Sequence, residues 1–257
     1  MPSSAYSDIA AGDAMVRTII ERPTRDGAVG AVLVAWGFEG IDTPGTDELR
    51  NECSVELERA NLACVTIEPR RGGREGTAGE RVTAIVAEAS AVLRWMLVQD
   101  DLDPARIGVC GVGAGAIIAS VLAGRTDQLR GVCLLAPWSP SGLETAMRGG
   151  EEDKGTLHAD AELVAAVGDL TPVETLARHD RPTLILTPAR ASRDVRESAR
   201  AYAISVERAG HDVSLETIAR TNAELEPAFV RSAASQRIAS FFAEMPAGVA
   251  TPRPVAT

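Results

Sequence analysis

Apolar residues in this chain gather into short runs, and the stretches between them carry apolar residues at helical spacing. The runs Met15–Ile20, Ala31–Ala35, Ala63–Ile67, Ile107–Cys110, Val132–Leu135, Thr183–Leu186 and Val213–Ile218 read as strands. Most are near-continuous rather than alternating, as strands covered on both faces require. Between them, Leu49, Cys53, Leu57 and Ala60 form one helical stripe. Val82, Ile85, Val86, Ala89, Val92, Leu93, Met96 and Leu97 form a wider one. Ala199, Tyr202, Ala203 and Val206 mark another, and the stretch from Phe229 to Phe242 the last. Strands alternating with helices predict βαβ units, hence an α/β fold with a mostly parallel central sheet and helices on both faces.

One segment interrupts this rhythm. Ser139 to Gly168 is polar, contains glycine and is acidic at Glu151, Glu152 and Asp153. It lies between two strands, where a short lid over a site or a long solvated loop fits equally. The Pro/Ala-rich tail, 246–257, is expected to be disordered. No internal repeat is visible, so residues 1–257 read as a single domain.

Charge narrows the partners. The net charge of -10 argues against binding phosphate backbones or anionic membranes. A small-molecule ligand is the expected partner, and a homodimer is compatible with the sequence. The first residues lack the basic and apolar regions of a signal peptide. No apolar stretch reaches the roughly 20 residues needed to span a bilayer. Cys53, Cys64, Cys110 and Cys133 fall on strand runs or a helical stripe without CxxC spacing. They read as buried reduced thiols, so a cytoplasmic location is expected, with no metal and no cofactor.

The stretch Gly111-Val112-Gly113-Ala114-Gly115 follows one apolar run and opens another, Ala116 to Leu122. A strand, a sharp glycine turn and a helix in that order form the setting of a Gly-x-Ser-x-Gly nucleophile elbow. Val34-Ala-Trp-Gly-Phe-Glu-Gly40 runs on from the predicted strand Ala31–Ala35, and Glu68-Pro-Arg-Arg-Gly-Gly-Arg74 follows Ala63–Ile67. Pro182-Thr-Leu-Ile-Leu-Thr-Pro188 forms a later one. Together these resemble the α/β-hydrolase superfamily over residues 13–244. The resemblance implies an oxyanion hole built from the amides of Phe38 and Ala114.

It also implies a serine, a histidine and an acid acting as a unit. Residue by residue, the serine position is Gly113, and the acid falls on Ala191, with Asp194 the nearest carboxylate. The histidine belongs near Asn222 or Ala223, where none stands. On this residue-by-residue reading all three roles are vacant. His179 and His211 precede strands, at the opposite end of the sheet, and His158 lies in the interrupting segment. Of the alternative nucleophiles, Cys110 precedes the turn, Ser120 lies too far into the helix, and Ser139 has no predicted histidine beside it.

Ligands of open α/β sheets bind beyond the carboxyl ends of the strands. Trp36, Gly113, Trp138, Ser139, Arg190 and Asn222 fall there as candidate substrate-binding residues. Glu39, Glu68 and Asp194 are candidate proton-transfer groups, each of which reads equally well as a surface carboxylate. Arg70, Arg71, Arg74, Arg190 and Arg193 could form a rim for an anion or simply be solvated. Gly111-x-Gly113-x-x-Ala116 does not open a first βα unit, which argues against a dinucleotide site. The leading expectation is a non-hydrolytic enzyme (a cyclase, lyase or isomerase) acting on a carbonyl-bearing apolar or aromatic molecule. The alternatives are an inactive ligand- or partner-binding protein and a hydrolase with displaced catalytic residues.

Overall fold

The structure is a computed structural model, and it describes residues 3–37, 46–67, 76–148, 161–222 and 228–245. Eight strands are described: β1 (Ser3–Ala11), β2 (Ala14–Arg22), β3 (Val29–Ala35), β4 (Leu62–Ile67), β5 (Leu102–Val112), β6 (Val132–Leu135), β7 (Thr183–Arg190) and β8 (Val213–Asn222). They form one sheet in the order β1-β2-β4-β3-β5-β6-β7-β8. The pairs β1–β2 and β2–β4 are antiparallel, and every other pair is parallel. The fold is therefore the expected α/β class with a mostly parallel sheet.

Along the central strands, successive side chains enter different apolar layers, as the two-residue period of a strand dictates. In β3, Ala31, Leu33 and Ala35 join one layer, and Val32 and Val34 the other. In β6, Val132 and Leu134 part from Cys133 and Leu135 in the same way. Helices α1 (Thr46–Arg59) and α8 (Ala228–Glu244) cover the second layer, through Leu49, Cys53 and Leu57 and through Ala234, Ile238 and Phe242. The first layer is covered by α2 (Ala78–Met96), α3 (Gly115–Arg125) and most of α7 (Arg193–Arg208). A Thr77–Glu80 capping box starts α2: the Glu80 N–H donates to the Thr77 hydroxyl, and the Glu80 carboxylate accepts from the Thr77 N–H.

Three differences from the sequence reading have local causes. Strand β1 went unseen because its described part buries only Ile9 and, the exposed Tyr6 apart, is otherwise polar or small. It exists by pairing with β2 across a two-residue Gly12-Asp13 loop, where Gly12 at φ +63° suits a primed hairpin turn. Strands β5, β7 and β8 outrun the predicted apolar runs: β5 already begins at the buried Leu102, which pairs with Val29, while β7 and β8 stay paired as far as Arg190 and Asn222, beyond the buried part of β7. In 139–168, the described residues form α4 (Pro140–Arg148) and α5 (Ala161–Asp169). Leu163, Val164 and Val167 bury the inner face of α5 in the first layer. A short helix, α6 (Pro172–Leu176), follows. The tail, 246–257, lies outside the described residues.

All four cysteines are free and buried in the second layer. Burial pushes the Cys53 and Cys64 thiols up, and a hydrogen bond with Cys133 together with burial does the same to Cys110. Among the described residues, no helix is long and apolar enough to cross a membrane.

At the amino end of the sheet, His179 is 2% exposed, and its Nε2 has no hydrogen-bond partner among the described residues. Desolvation lowers its pKa from 6.5 to about 4. Asp180 and a hydrogen bond to the Ala123 carbonyl oppose that shift, while Arg181 and His211 reinforce it. The folded protein thus keeps this imidazole neutral where the unfolded chain protonates it. Its contribution is intact above pH 6.5 and is lost as pH falls through 6.5 toward 4. Linkage gives about 2 kcal/mol less stability at pH 5 than at pH 7 from this group. Urea unfolding of wild type and His179→Gln at both pH values should show that difference only in the wild type.

Candidate functional site

Chain geometry concentrates at the carboxyl ends of β3, β5 and β6. Ala35 of β3 lies in register with Gly111 of β5, and Val112 with Leu135 of β6. Beyond Val112 the chain reverses at Gly113, which takes φ +57°, the left-handed region in which an elbow residue is held. Helix α3 starts two residues later, with Ala114 as its N-cap.

The glycines on either side are obligatory for packing. A Cβ on Gly111 would lie 2.5 Å from the Ala116 Cα. One on Gly115 would lie 2.0 Å from the Ala35 carbonyl oxygen and 2.9 Å from the Gly37 nitrogen. Strand and helix therefore approach as closely as an elbow demands, while no side chain stands at its apex.

Hydrogen bonds tie this turn to the neighbouring strand ends. The Gly113 N–H donates to the Leu135 carbonyl at 2.9 Å, and the Gly113 carbonyl accepts from the Trp138 N–H at 3.2 Å. Ala136 adopts φ +47° and donates its N–H to the Leu186 carbonyl at 2.8 Å. Trp138 is half-buried and packs against both apolar layers. Trp36 follows β3 directly, and its buried indole N–H has no acceptor among the described residues. The structure thus gathers Trp36, Gly113, Ala114, Trp138 and Ser139 at one end of the sheet.

Ser139 is 2% exposed and its hydroxyl is fully engaged. It accepts from the Gly142 N–H at 3.1 Å, capping α4, and pairs with the hydroxyls of Ser141 and Ser198 at 3.1 and 3.0 Å. Asp194 is half-buried in the first turn of α7. Its backbone approaches the same place, since a Cβ on Gly142 would lie 3.3 Å from both the Asp194 carbonyl oxygen and the Ser139 hydroxyl. Ala191, where the resemblance would put the acid, is buried, and its carbonyl accepts from the Arg196 guanidinium. Arg190 and Asn222 pair at the far ends of β7 and β8, apart from this cluster in the sheet order. Asn222 ends β8 rather than following it. Arg193 is exposed and paired with Glu197 at 2.6 Å.

Phe38, Glu39, Glu68, Arg70, Arg71, Arg74, His158 and Ala223 lie outside the described residues. Ser198 and Tyr202 were missed by the sequence reading, although a serine within the apolar stripe of α7 was the available signal. A separate cavity of about 390 Å³, lined by Arg22, Arg25, Asp26 and Asp101 among others, opens at the opposite end of the sheet. The Arg22–Asp101 ion pair, at 2.9 Å, forms part of its wall.

The Abhydrolase_3 family, an alpha/beta hydrolase fold, matches residues 78–236. An uncharacterised protein of Mycobacterium tuberculosis is 35% identical over 101 residues, 39% of this chain and 34% of that one. The match thus spans about a third of that relative's length. A thermostable esterase from Pseudomonas putida superposes at TM-score 0.74 with 16% identity, covering 95% of this chain and 83% of the esterase. The acylaminoacyl peptidase of Pyrococcus horikoshii gives 0.75 with 13% identity, over 99% of this chain and 43% of the peptidase. The carboxylesterase EstE1, from a metagenomic library, gives 0.66 with 18% identity, over 94% and 88%.

These findings overturn the expectation of a cyclase, lyase or isomerase. The family and its esterase neighbours favour the hydrolase alternative. The physical reason is that the missing side chain at Gly113 does not by itself supply the groups of another reaction. With more than half of its length matched and the elbow backbone intact, the chain belongs to the Abhydrolase_3 family of alpha/beta hydrolase-fold proteins.

Proposed function

We propose that this chain hydrolyses carboxylic esters of small apolar or aromatic molecules by direct attack of water, its catalytic groups displaced from the elbow. The observation that carries this reading is the turn itself. Gly113 keeps the left-handed conformation, and Gly111 and Gly115 the close approach, of an elbow without its nucleophile. Membership of a hydrolase-fold family and the esterase neighbours support it.

In this mechanism, a water molecule takes the space of the absent hydroxymethyl group and attacks the ester carbonyl carbon. A carboxylate accepts the proton that the water loses. Asp194, in the first turn of α7, is the first candidate, with Glu39 and Glu68 as the others. The oxyanion forms against the amides of Ala114 and Phe38, worth about 3–4 kcal/mol per donor. Collapse breaks the bond to the alcohol oxygen, which takes the proton back from the carboxylate and leaves as the alcohol. Trp36 and Trp138 provide apolar walls, and the unpaired Trp36 N–H offers a donor to a ligand oxygen. Arg190 and Asn222 stand farther out, for the remote part of the substrate.

The test is the time course of short-chain p-nitrophenyl ester hydrolysis by the purified chain, alongside treatment with a fluorophosphonate. Linear product from the first turnover and no labelled residue are expected. A burst or a labelled side chain would reveal a covalent route, and no turnover above buffer would end the proposal. Gly113→Ser should raise turnover little, because triad members act as a unit and the histidine remains absent. A Gly113→Ser chain with serine-hydrolase rates would show that a base stands closer to the elbow than this reading allows.

A further inference from the structure

The residues Trp138 and Ser139 are gripped from three directions. The Trp138 N–H is bound by the Gly113 carbonyl at 3.2 Å. The Trp138 carbonyl accepts from the Tyr202 hydroxyl at 3.2 Å. The Ser139 N–H donates to the Ser198 hydroxyl at 3.0 Å. Ser198 and Tyr202 stand four residues apart on α7, so both hydroxyls project from one face of that helix. Tyr202 is fully buried, with Ala199 and Val206 of the apolar layer as its helix neighbours. A phenylalanine would fill that volume without burying a hydroxyl, so packing alone does not account for the tyrosine. The fit around Ser198 is equally close: a Cβ on Gly142 would lie 2.2 Å from its hydroxyl oxygen.

We infer that Ser198 and Tyr202 are positioning residues, which hold Trp138 as a preset wall of the ester site and so set which acyl groups it accepts. The inference rests on the ester-hydrolase reading for its substrate, and on hydrogen-bond geometry for its mechanism. With the amide and carbonyl of Trp138 both bound, its backbone dihedrals are fixed. The direction of its Cα–Cβ bond follows from them. The indole is left only side-chain rotation, and packing against both apolar layers restricts that. Preorganisation of this kind removes the cost of ordering the wall when substrate arrives.

The experiment has two arms. In a chain whose only tryptophan is Trp138 (Trp36→Phe, Trp95→Phe), acrylamide quenching and fluorescence anisotropy report the indole directly and need no activity. Removing one net hydrogen bond changes the ratio of pinned to released peptide about fivefold. Tyr202→Phe and Ser198→Ala are therefore each expected to raise the quenching constant and lower the anisotropy at temperatures where the chain stays folded. In the second arm, the same two substitutions with all tryptophans present are assayed on p-nitrophenyl esters of increasing acyl length. KM should rise for the preferred ester with kcat little changed, narrowing the preference between acyl lengths. Tyr202→Phe preserves volume, so it keeps the test open should Ser198→Ala fail to fold. Unchanged quenching and anisotropy in Tyr202→Phe would overturn the positioning role. Changed quenching with an unaltered acyl preference would overturn the link to specificity. If the wild type hydrolyses no ester, the hydrolase reading falls by itself, and the quenching arm still decides whether α7 positions Trp138.

Discussion

Gly115→Ala is expected to destabilise the protein by about 3 kcal/mol or more, the upper range of overpacking costs. The added methyl would meet the Ala35 carbonyl oxygen at 2.0 Å and its carbon at 2.5 Å. Both are backbone atoms of β3, which pairs with β4 on one side and β5 on the other and has no room to retreat. Relief would require α3 to lift from the sheet, exposing Ala116, Ile117 and Ala119 of its buried face. Gly79→Ala supplies the control, because nothing lies within 4 Å of its added Cβ, in the first turn of α2. That change should be neutral or stabilising by up to about 1 kcal/mol through helix propensity. Urea midpoints of the two variants measured side by side decide the matter. Equal midpoints would mean that strand and helix are not locked at this turn.

The other large effect concerns turnover. If Asp194 accepts the proton of the attacking water, Asp194→Asn should lower kcat by about 10²–10⁴, the usual worth of general-base assistance. The amide keeps the side chain's shape and removes its capacity to take a proton. The cost to stability should stay below about 1 kcal/mol, since the main loss is a charge near the start of α7. KM for a p-nitrophenyl ester should change little. Full activity in Asp194→Asn would move the base elsewhere, with Glu39→Gln and Glu68→Gln as the variants to measure next. A large fall in one of those would then assign the role.

Much of the fold was legible along the chain because burial on two faces leaves a mark on composition. The runs of β3, β4 and β6 and the stripes of α1 and α2 are apolar because the sheet is covered on both sides. Turn glycines were legible too: an elbow needs Gly111 and Gly115 for approach, and both are present. The absence of a nucleophile at Gly113 is read directly from the letters. That absence suggested a change of reaction, and there the sequence reading went astray. The family matches over residues 78–236, whereas one residue at the turn does not decide the reaction.

What the sequence by itself determined is the alternation of strand and helix, the close approach at the elbow and the emptiness of its apex. Each follows from local period, side-chain volume or residue identity. Only the tertiary structure decided that β1 joins the sheet, because an edge strand with one buried apolar residue takes its order from β2. It also decided that the Ser139 hydroxyl caps α4 and pairs with Ser198, a partner 59 residues away. The grip of Ser198 and Tyr202 on Trp138 and Ser139 belongs to the same class. Such contacts depend on where α7 docks against the residues that follow β6. No periodicity records that placement, since a buried hydroxyl reads in sequence as one more residue on an apolar stripe.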